Sequence, residues 1–350
     1  FLKLLLDFWL LGVILNAFQV FRLIRLSRSP NMKSPNILLS IVAAVTMTFG
    51  VSTSSVQGQA DQSGLVRAWG DNELGQCDIP SDLGACTQIA GGYGRHTIAI
   101  QQSGFVRAWG WNISGQCDIP SDLGVCTQIA GGAYHSIALQ QSGLVRAWGS
   151  NSFGTCDIPS DLGVCTQIAV GYFHTIAIQQ SGLVRAWGWN SSGQCDIPSD
   201  LGPCTQIAGS YIYSIALQQN GLVRTWGWTG GVPSDLGVCT QIAAGDGHII
   251  AIQQSGLVRA WGQNDDGQCN VPSDLGVCKQ ISGGAYHTIA LQQSGLVRAW
   301  GKNNSGQCNI PSDLGVCTRI SGGTYHTIAI QSNTSDVDSD GIPAYLDNCQ

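Results

Sequence analysis

Six histidines, fourteen cysteines and a short run of alternating aspartates are the residues of this 350-residue chain whose types and spacing could do chemistry. His96, His135, His174, His248, His287 and His326 occupy one repeat position, held in unit four by Tyr213 instead, as ligands of a metal ring or stations of a proton relay would. Most cysteines come in pairs within the motif CDIPSDLGVC and its variants: Cys77 and Cys86, Cys117 and Cys126, Cys156 and Cys165, Cys195 and Cys204, Cys269 and Cys278, Cys308 and Cys317. Eight residues separate the thiols of a pair, whereas zinc sites favour about two to four, so the pairs are read as disulfides. Closing each loop would stabilise the fold by about 2–3 kcal/mol in the chain-entropy model. Cys239 has lost its partner and is expected to be free unless it meets Cys349. Near the C-terminus, Asp336, Asp338 and Asp340 alternate ahead of Gly341, and Asp347 falls at the twelfth position. Carboxylates alternating around a sharp glycine turn suit an oxygen-coordinated Ca²⁺.

Catalysis is not expected. Glu73 is the only glutamate, and no Gly-x-Ser-x-Gly, His-Glu-x-x-His or phosphate-cradling glycine loop is present. A histidine needed once per repeat reads more simply as structural, its ring nitrogens bonded to nearby backbone. The arginines of LVR[A/T]WG and the Ser-Asp turns read the same way, as Arg–Asp pairs and turn caps. Residues 61–350 carry 11 Lys and Arg against 21 Asp and Glu, a net charge near −10. That balance repels phosphate backbones, so nucleic acid is not an expected partner.

What positions these residues is a repeat. Trp-Gly starts at Trp69, Trp109, Trp148, Trp187, Trp226, Trp261 and Trp300, in steps of 40, 39, 39, 39, 35 and 39 residues. Each unit holds four short extended pieces, LVRAW, CDIP, CTQIA and TIAI, between Gly, Asn, Pro and Ser-Asp punctuation. No run has the length and 3.6 period of an amphipathic helix. A period near forty with about four strands per unit predicts an all-β, seven-bladed β-propeller. The array starts with LVRAW and ends with HTIAI, so each terminal strand lacks its partner. Pairing Val66–Trp69 with Thr327–Ile330 would close the ring and remove two free edges.

Gly-x-Val, Trp-Gly, Asn, Gly-Gln, Pro, Ile-Ala-Gly-Gly and His-[Ser/Thr]-Ile-Ala-Leu in each unit resemble the repeat of the regulator of chromosome condensation family. The match is to the short bacterial form, similar to that of propeller-type β-lactamase inhibitor proteins. The resemblance spans all seven units and implies a seven-bladed propeller; the paired cysteines depart from the family pattern. It does not fix a function, because that fold hosts exchange factors, inhibitors and plain binding modules. The stretch DVDSDGIPAYLDNC resembles a thrombospondin type-3 repeat, which implies calcium binding at Asp336, Asp338, Asp340 and Asp347, and departs from it at Ala344.

Residues 32–60 have a short basic start, an apolar core and a Gly58-Gln59-Ala60 end, the pattern of a cleavable secretory signal. Residues 1–31 do not begin with Met, and Asp7 interrupts their apolar run. They are expected to be upstream sequence, and involve a membrane only if they are a true anchor. The propeller is placed at 61–332, and 333–350 as the start of an acidic repeat cut from a longer protein. Export to the medium or cell surface would favour disulfides.

Strand direction locates a binding face. If the four pieces alternate, the Gly-x-Asn-x-x-Gly and Gly-Gly-x-x-His loops leave one face, and the Ser-Asp-Leu-Gly and Gln-Ser-Gly turns the other. The second-face turns barely vary. On the first face, Asp71, Trp111, Ser150, Trp189, Trp228, Gln263 and Lys302 share one position, and Arg95, Tyr134, Phe173, Ile212, Asp246 and Tyr286 vary just before the histidine. Trp111, Trp189 and Trp228, flanked by Tyr134, Phe173 and Tyr286, are expected to stand exposed and to bind a protein or glycan. The function expected is an exported, monomeric, non-catalytic binding module with no cofactor in the propeller. The alternatives are an inhibitor of a secreted enzyme, a propeller lyase and a structural cell-surface spacer.

Overall fold

A computed structural model describes residues 64–332. Residues 1–63 and 333–350 lie outside the described residues, and with them the signal and anchor expectations, Cys349 and the aspartates Asp336, Asp338, Asp340 and Asp347. The described residues form twenty-one β-strands and no helix. Five sheets have three strands, and a sixth has six strands because two such sheets are joined by a single bridge between Gly64 and Cys86.

Every sheet takes an inner strand from CTQIA, a middle strand from HTIAI and an outer strand from VRAW. In the first they are Cys86–Gly91, His96–Gln101 and Val106–Gly110. Five consecutive residues of the middle strand are buried, because neighbouring sheets cover both its faces. The outer strand buries only Val106 and Trp109 and leaves Arg107 half-buried at the rim. The inner strands surround an axial cavity lined by small residues, among them Ala90, Ala130, Ala169, Ala208, Ala243 and Ser282.

The fourth strand per unit is not formed. Cys77–Pro80 and its equivalents are turns and irregular chain. Pro80 has no N–H to give a ladder, and the neighbouring amides are used locally, Ile79 N–H to Cys77 O and Leu83 N–H to Pro80 O. The connector therefore packs as a loop, with Leu83 buried in the core. Strand parity is unchanged, since this loop still carries the chain from one end of the sheet to the other.

The terminal strands pair as expected. Val66 lies opposite Ile330, Arg67 opposite Ala329, Ala68 opposite Ile328 and Trp69 opposite Thr327. The same register joins Thr97–Ile100 of one unit to Val106–Trp109 of the next within one sheet. Seven apolar clusters fill the spaces between successive sheets. One of them joins Val66, Ile328 and Ile330 to Leu83, Ile89 and Trp109, so the sheet built from both ends of the array packs like the others.

Candidate functional site

The repeated polar residues are spent on the scaffold. The histidines are buried, and Nε2 of His96 lies 3.0 Å from Ser136 Oγ in the next unit, His248 2.9 Å from Thr288 Oγ1, and His326 3.1 Å from Thr97 Oγ1. Those hydroxyls already give their proton to a connector carbonyl, as Ser136 Oγ does to Gln116 O at 2.8 Å. The imidazole must then be the donor at Nε2, which fixes its neutral tautomer. Burial lowers the pKa of His96, His174 and His287 to about 3 and of His135, His248 and His326 to about 4. The structural role expected holds, with a correction: the partner of the ring is a side-chain hydroxyl one unit on, not nearby backbone.

The same connector carbonyl also accepts the outer-strand indole, Trp148 Nε1 to Gln116 O at 2.9 Å. All seven arginines of the outer strands pair with a Ser-Asp turn, from Arg67 with Asp313 at 2.9 Å to Arg259 with Asp235 at 3.3 Å. These pairs are solvent-exposed and mark the second face.

The cysteine reading is corrected. All thirteen described cysteines are free: Cys77, Cys86, Cys117, Cys126, Cys156, Cys165, Cys195, Cys204, Cys239, Cys269, Cys278, Cys308 and Cys317. Cys77 Sγ donates to Asp71 O at 3.3 Å, at the first-face end of the sheet, whereas Cys86 is paired with Gln101 at the second-face end. A six-residue strand is about 17 Å long, far beyond the Cα separation of roughly 7 Å a disulfide tolerates. Burial, with Asp71 and Asp78 nearby, pushes the Cys77 thiol up to about 12, and burial raises Cys86 to about 11. Neither has the thiolate character of a nucleophile or metal ligand.

The first face is where the units differ, and its loops carry the expected side chains. The backbone N–H groups of Trp111, Trp189 and Trp228 bond the carbonyls of Arg95, Phe173 and Ile212, which places the three tryptophans at one register on one face. Only Trp228 is well exposed, at 74%. Trp111 and Trp189 are half-buried, because rings from adjacent loops pack on them. Trp111 lies 5.3 Å from Tyr134, Tyr134 stacks on Phe173 at 5.8 Å, and Phe173 meets Trp189 edge-on at 5.9 Å. Phe153, Tyr172 and Tyr211 complete this band, and Tyr93 joins it by stacking on Tyr172 at 4.5 Å. Tyr286 is not in the band; it stacks on Tyr325 at 5.9 Å on the other side of the face.

The sequence reading missed Tyr93, Phe153, Tyr172 and Tyr211. Tyr172 and Tyr211 occupy the position two before the histidine, where other units have Ala133, Ala285 and Thr324. Asp246 belongs to that position too; Gly247 is the residue directly before His248, so Asp246 sits one step nearer the axis than expected. Tyr93 comes from a one-residue insertion in the first unit, which forces Arg95 to a φ of 56°. Its hydroxyl reaches across to Gly209 O at 3.2 Å and Ala244 O at 3.3 Å, closing the axial cavity at the first face.

Asp246 stands at this axial mouth. Burial raises its pKa, and the bond from Tyr286 only partly offsets that. Among the described residues no basic side chain pairs with it, although its charge acts on Tyr93, Tyr172 and Tyr286. Beside Trp228, the connector shortened by four residues leaves a pocket of about 300 Å³ lined by Ile212, Trp228, Ile249 and Trp261. The first-face loops are also acidic. They carry Asp71, Glu73, Asp246, Asp265 and Asp266, together with Asp78, Asp118, Asp157 and Asp196, against Arg95 and Lys302 alone.

A comparison with curated protein sequences gives no match. Human WBSCR16 is similar in structure, with a TM-score of 0.65 and 18% identity over 77% of this chain and 99% of that one. Prp20p from Saccharomyces cerevisiae also superposes at 0.65 with 18% identity, over 79% and 93%. The ectodomain of the Physcomitrella patens receptor kinase CR4 follows at 0.60 and 22%, over 71% of each chain. At such identities the likeness is one of fold. Residues 126–155, 165–194, 239–268 and 278–307 match the Regulator of chromosome condensation (RCC1) repeat, so these four stretches are RCC1 repeats within a chain of β-propeller fold.

Proposed function

We propose that this chain is a non-catalytic binding module whose first face takes a protein partner. The observation that carries the reading is the contiguous aromatic band from Trp111 to Tyr211, on the face where the repeats diverge, over a scaffold that repeats almost unchanged. Aromatic residues dominate the energetics of interfaces, and a half-buried cluster is pre-organised, so little side-chain entropy is lost on binding. Prp20p, similar in fold, has binding properties toward Gsp1p and histones, and a protein partner here is in keeping with that. Neutral buried histidines and raised thiols support the absence of catalysis. The secretory pattern at residues 32–60 supports a partner outside the cell.

The test is affinity capture from culture supernatant, followed by titration of the captured partner. Trp189→Ala and Trp228→Ala should fold normally and weaken binding by about tenfold or more. Gln141→Ala, on the second face, should leave it unchanged. Equal affinity of all three variants would move the site off this face.

A further inference from the structure

The aromatic band explains why the first face is sticky, but not why its loops carry nine carboxylates or why Asp246 is held half-buried without a counter-ion. The two basic residues of the face show what its rings accept. Arg95 lies over the Tyr325 ring at 5.1 Å, with Asp71 at 3.4 Å and Glu73 at 3.1 Å. Lys302 Nζ lies over the Tyr286 ring at 4.9 Å, with Asp266 at 3.9 Å. Each cation thus takes a ring face and a carboxylate together, cation–π attraction on one side and an ion pair on the other.

The axial mouth offers that combination with no cation of its own. Asp246 is held at this mouth by its N–H to Ala285 O at 3.0 Å and by Ser210 Oγ donating to its carbonyl. It stands close to Ala244, whose carbonyl takes the Tyr93 hydroxyl at 3.3 Å, and its carboxylate also acts on Tyr286 and Tyr172. Tyr211 meets Tyr172 edge-on at 5.2 Å on its outer side. Resting on the reading of this face as a protein-binding surface, we propose that Asp246 and these tyrosines receive one lysine or arginine side chain of the partner, while the aromatic band takes its apolar neighbours. The carboxylate supplies the ion pair, the ring faces supply the quadrupole, and the surrounding loop carboxylates steer the cation inward. On the opposite face every rim arginine already has its aspartate, and the two remaining charges described there, Lys279 and Arg319, are positive. A cationic segment therefore has one face to approach.

The test uses the full chain and acetylated heptapeptides of sequence Gly-Ser-Phe-X-Phe-Ser-Gly, in which X is lysine, arginine, norleucine or glutamate. Tyrosine and tryptophan fluorescence reads binding, and thermal midpoints report folding. The lysine and arginine peptides should bind about tenfold or more tightly than the norleucine peptide, and the glutamate peptide more weakly than all. Asp246→Asn should bring that ratio close to one without changing the affinity for the norleucine peptide. Asp246→Ala serves the same purpose if the asparagine variant folds poorly. Asp235→Asn, the same change in net charge on the opposite face, should preserve the ratio. A ratio that survives both changes at Asp246, or no binding of the lysine peptide at millimolar concentration, would overturn the inference. If the norleucine and lysine peptides bind equally, and both are lost in Trp189→Ala, the protein-binding reading stands and the cation pocket falls.

Discussion

Tyr213 is the one residue that breaks the histidine series, and its neighbour across the sheets explains it. In every other unit the imidazole donates to a Ser or Thr hydroxyl on the next middle strand. After Tyr213 that position holds Ile249, which has no hydroxyl. The tyrosine hydroxyl instead spans to His248 O at 2.8 Å and Gly245 O at 3.2 Å. Ile249 in turn follows from the shortened connector, whose Gly231 O accepts only the Trp261 indole at 2.9 Å. Tyr213→His alone should strand a buried ring N–H against isoleucine and cost about 1–3 kcal/mol. Adding Ile249→Thr should recover much of that loss, and a double-mutant cycle by urea denaturation measures it. Additive effects of the two changes would show that the pair is not coupled. A second residue-scale prediction concerns Gly92, where an added Cβ would stand 2.2 Å from the His96 ring. Gly92→Ala should lower stability by several kcal/mol, about the cost of other overpacked buried sites. An unchanged thermal midpoint would mean that the ring can swing away.

At the scale of the element, three of four expected strands per unit exist, and the reason the fourth fails was present in the sequence. LVRAW, CTQIA and HTIAI are β-branched or apolar at four of five residues each, whereas CDIP ends in proline one step before a Ser-Asp turn. The pairing of the terminal strands and the two faces were legible because short sheets of fixed direction leave few alternatives. The aromatic band was only half legible. Trp111 and Trp189 stood out by type, but their burial depends on rings from the neighbouring loops, which sequence spacing does not place. The cysteines misled for the same reason: eight intervening residues look like a small loop until the connector is seen to cross the whole sheet. Two outcomes follow at this scale. Deleting residues 326–332 should destabilise the fold far more than trimming 333–350, because it removes the strand between Cys317–Gly322 and Gly64–Gly70. Equal thermal midpoints for the two truncations would show that closure adds nothing. Reducing agent should leave the midpoint of the native chain within about a degree, since no within-unit disulfide contributes the roughly 3 kcal/mol that such a loop would. Mass spectrometry under non-reducing conditions that found Cys77 bonded to Cys86 would reverse the correction.

For the whole molecule, the histidine bonds link one sheet to the next, and this makes acid the condition under which the fold should fail as a unit. Each imidazole is neutral inside, with its pKa lowered from 6.5 to about 3 or 4 by burial, and each would bind a proton once exposed. The unfolded chain therefore holds more protons than the folded one between those values, and stability rises with pH across that window. The stabilisation is complete above about pH 6.5 and is lost as pH falls toward 4. Six such groups set an upper limit of about 8 kcal/mol per pH unit for the slope near pH 5, at about 1.4 kcal/mol per proton. The rim carboxylates Asp82, Asp122, Asp161, Asp200 and Asp274 have pKa values lowered by their arginines, from an ordinary value of 3.8. Their contribution is lost only below that value, so it does not confuse the histidine window. Urea titrations from pH 7.5 to 4.5 should show the denaturation midpoint falling steeply and cooperatively, with proton uptake on unfolding approaching one per histidine. A flat profile over this range would mean that the rings take up protons inside the fold, and would exclude the neutral tautomer on which the chain of Nε2 donors depends.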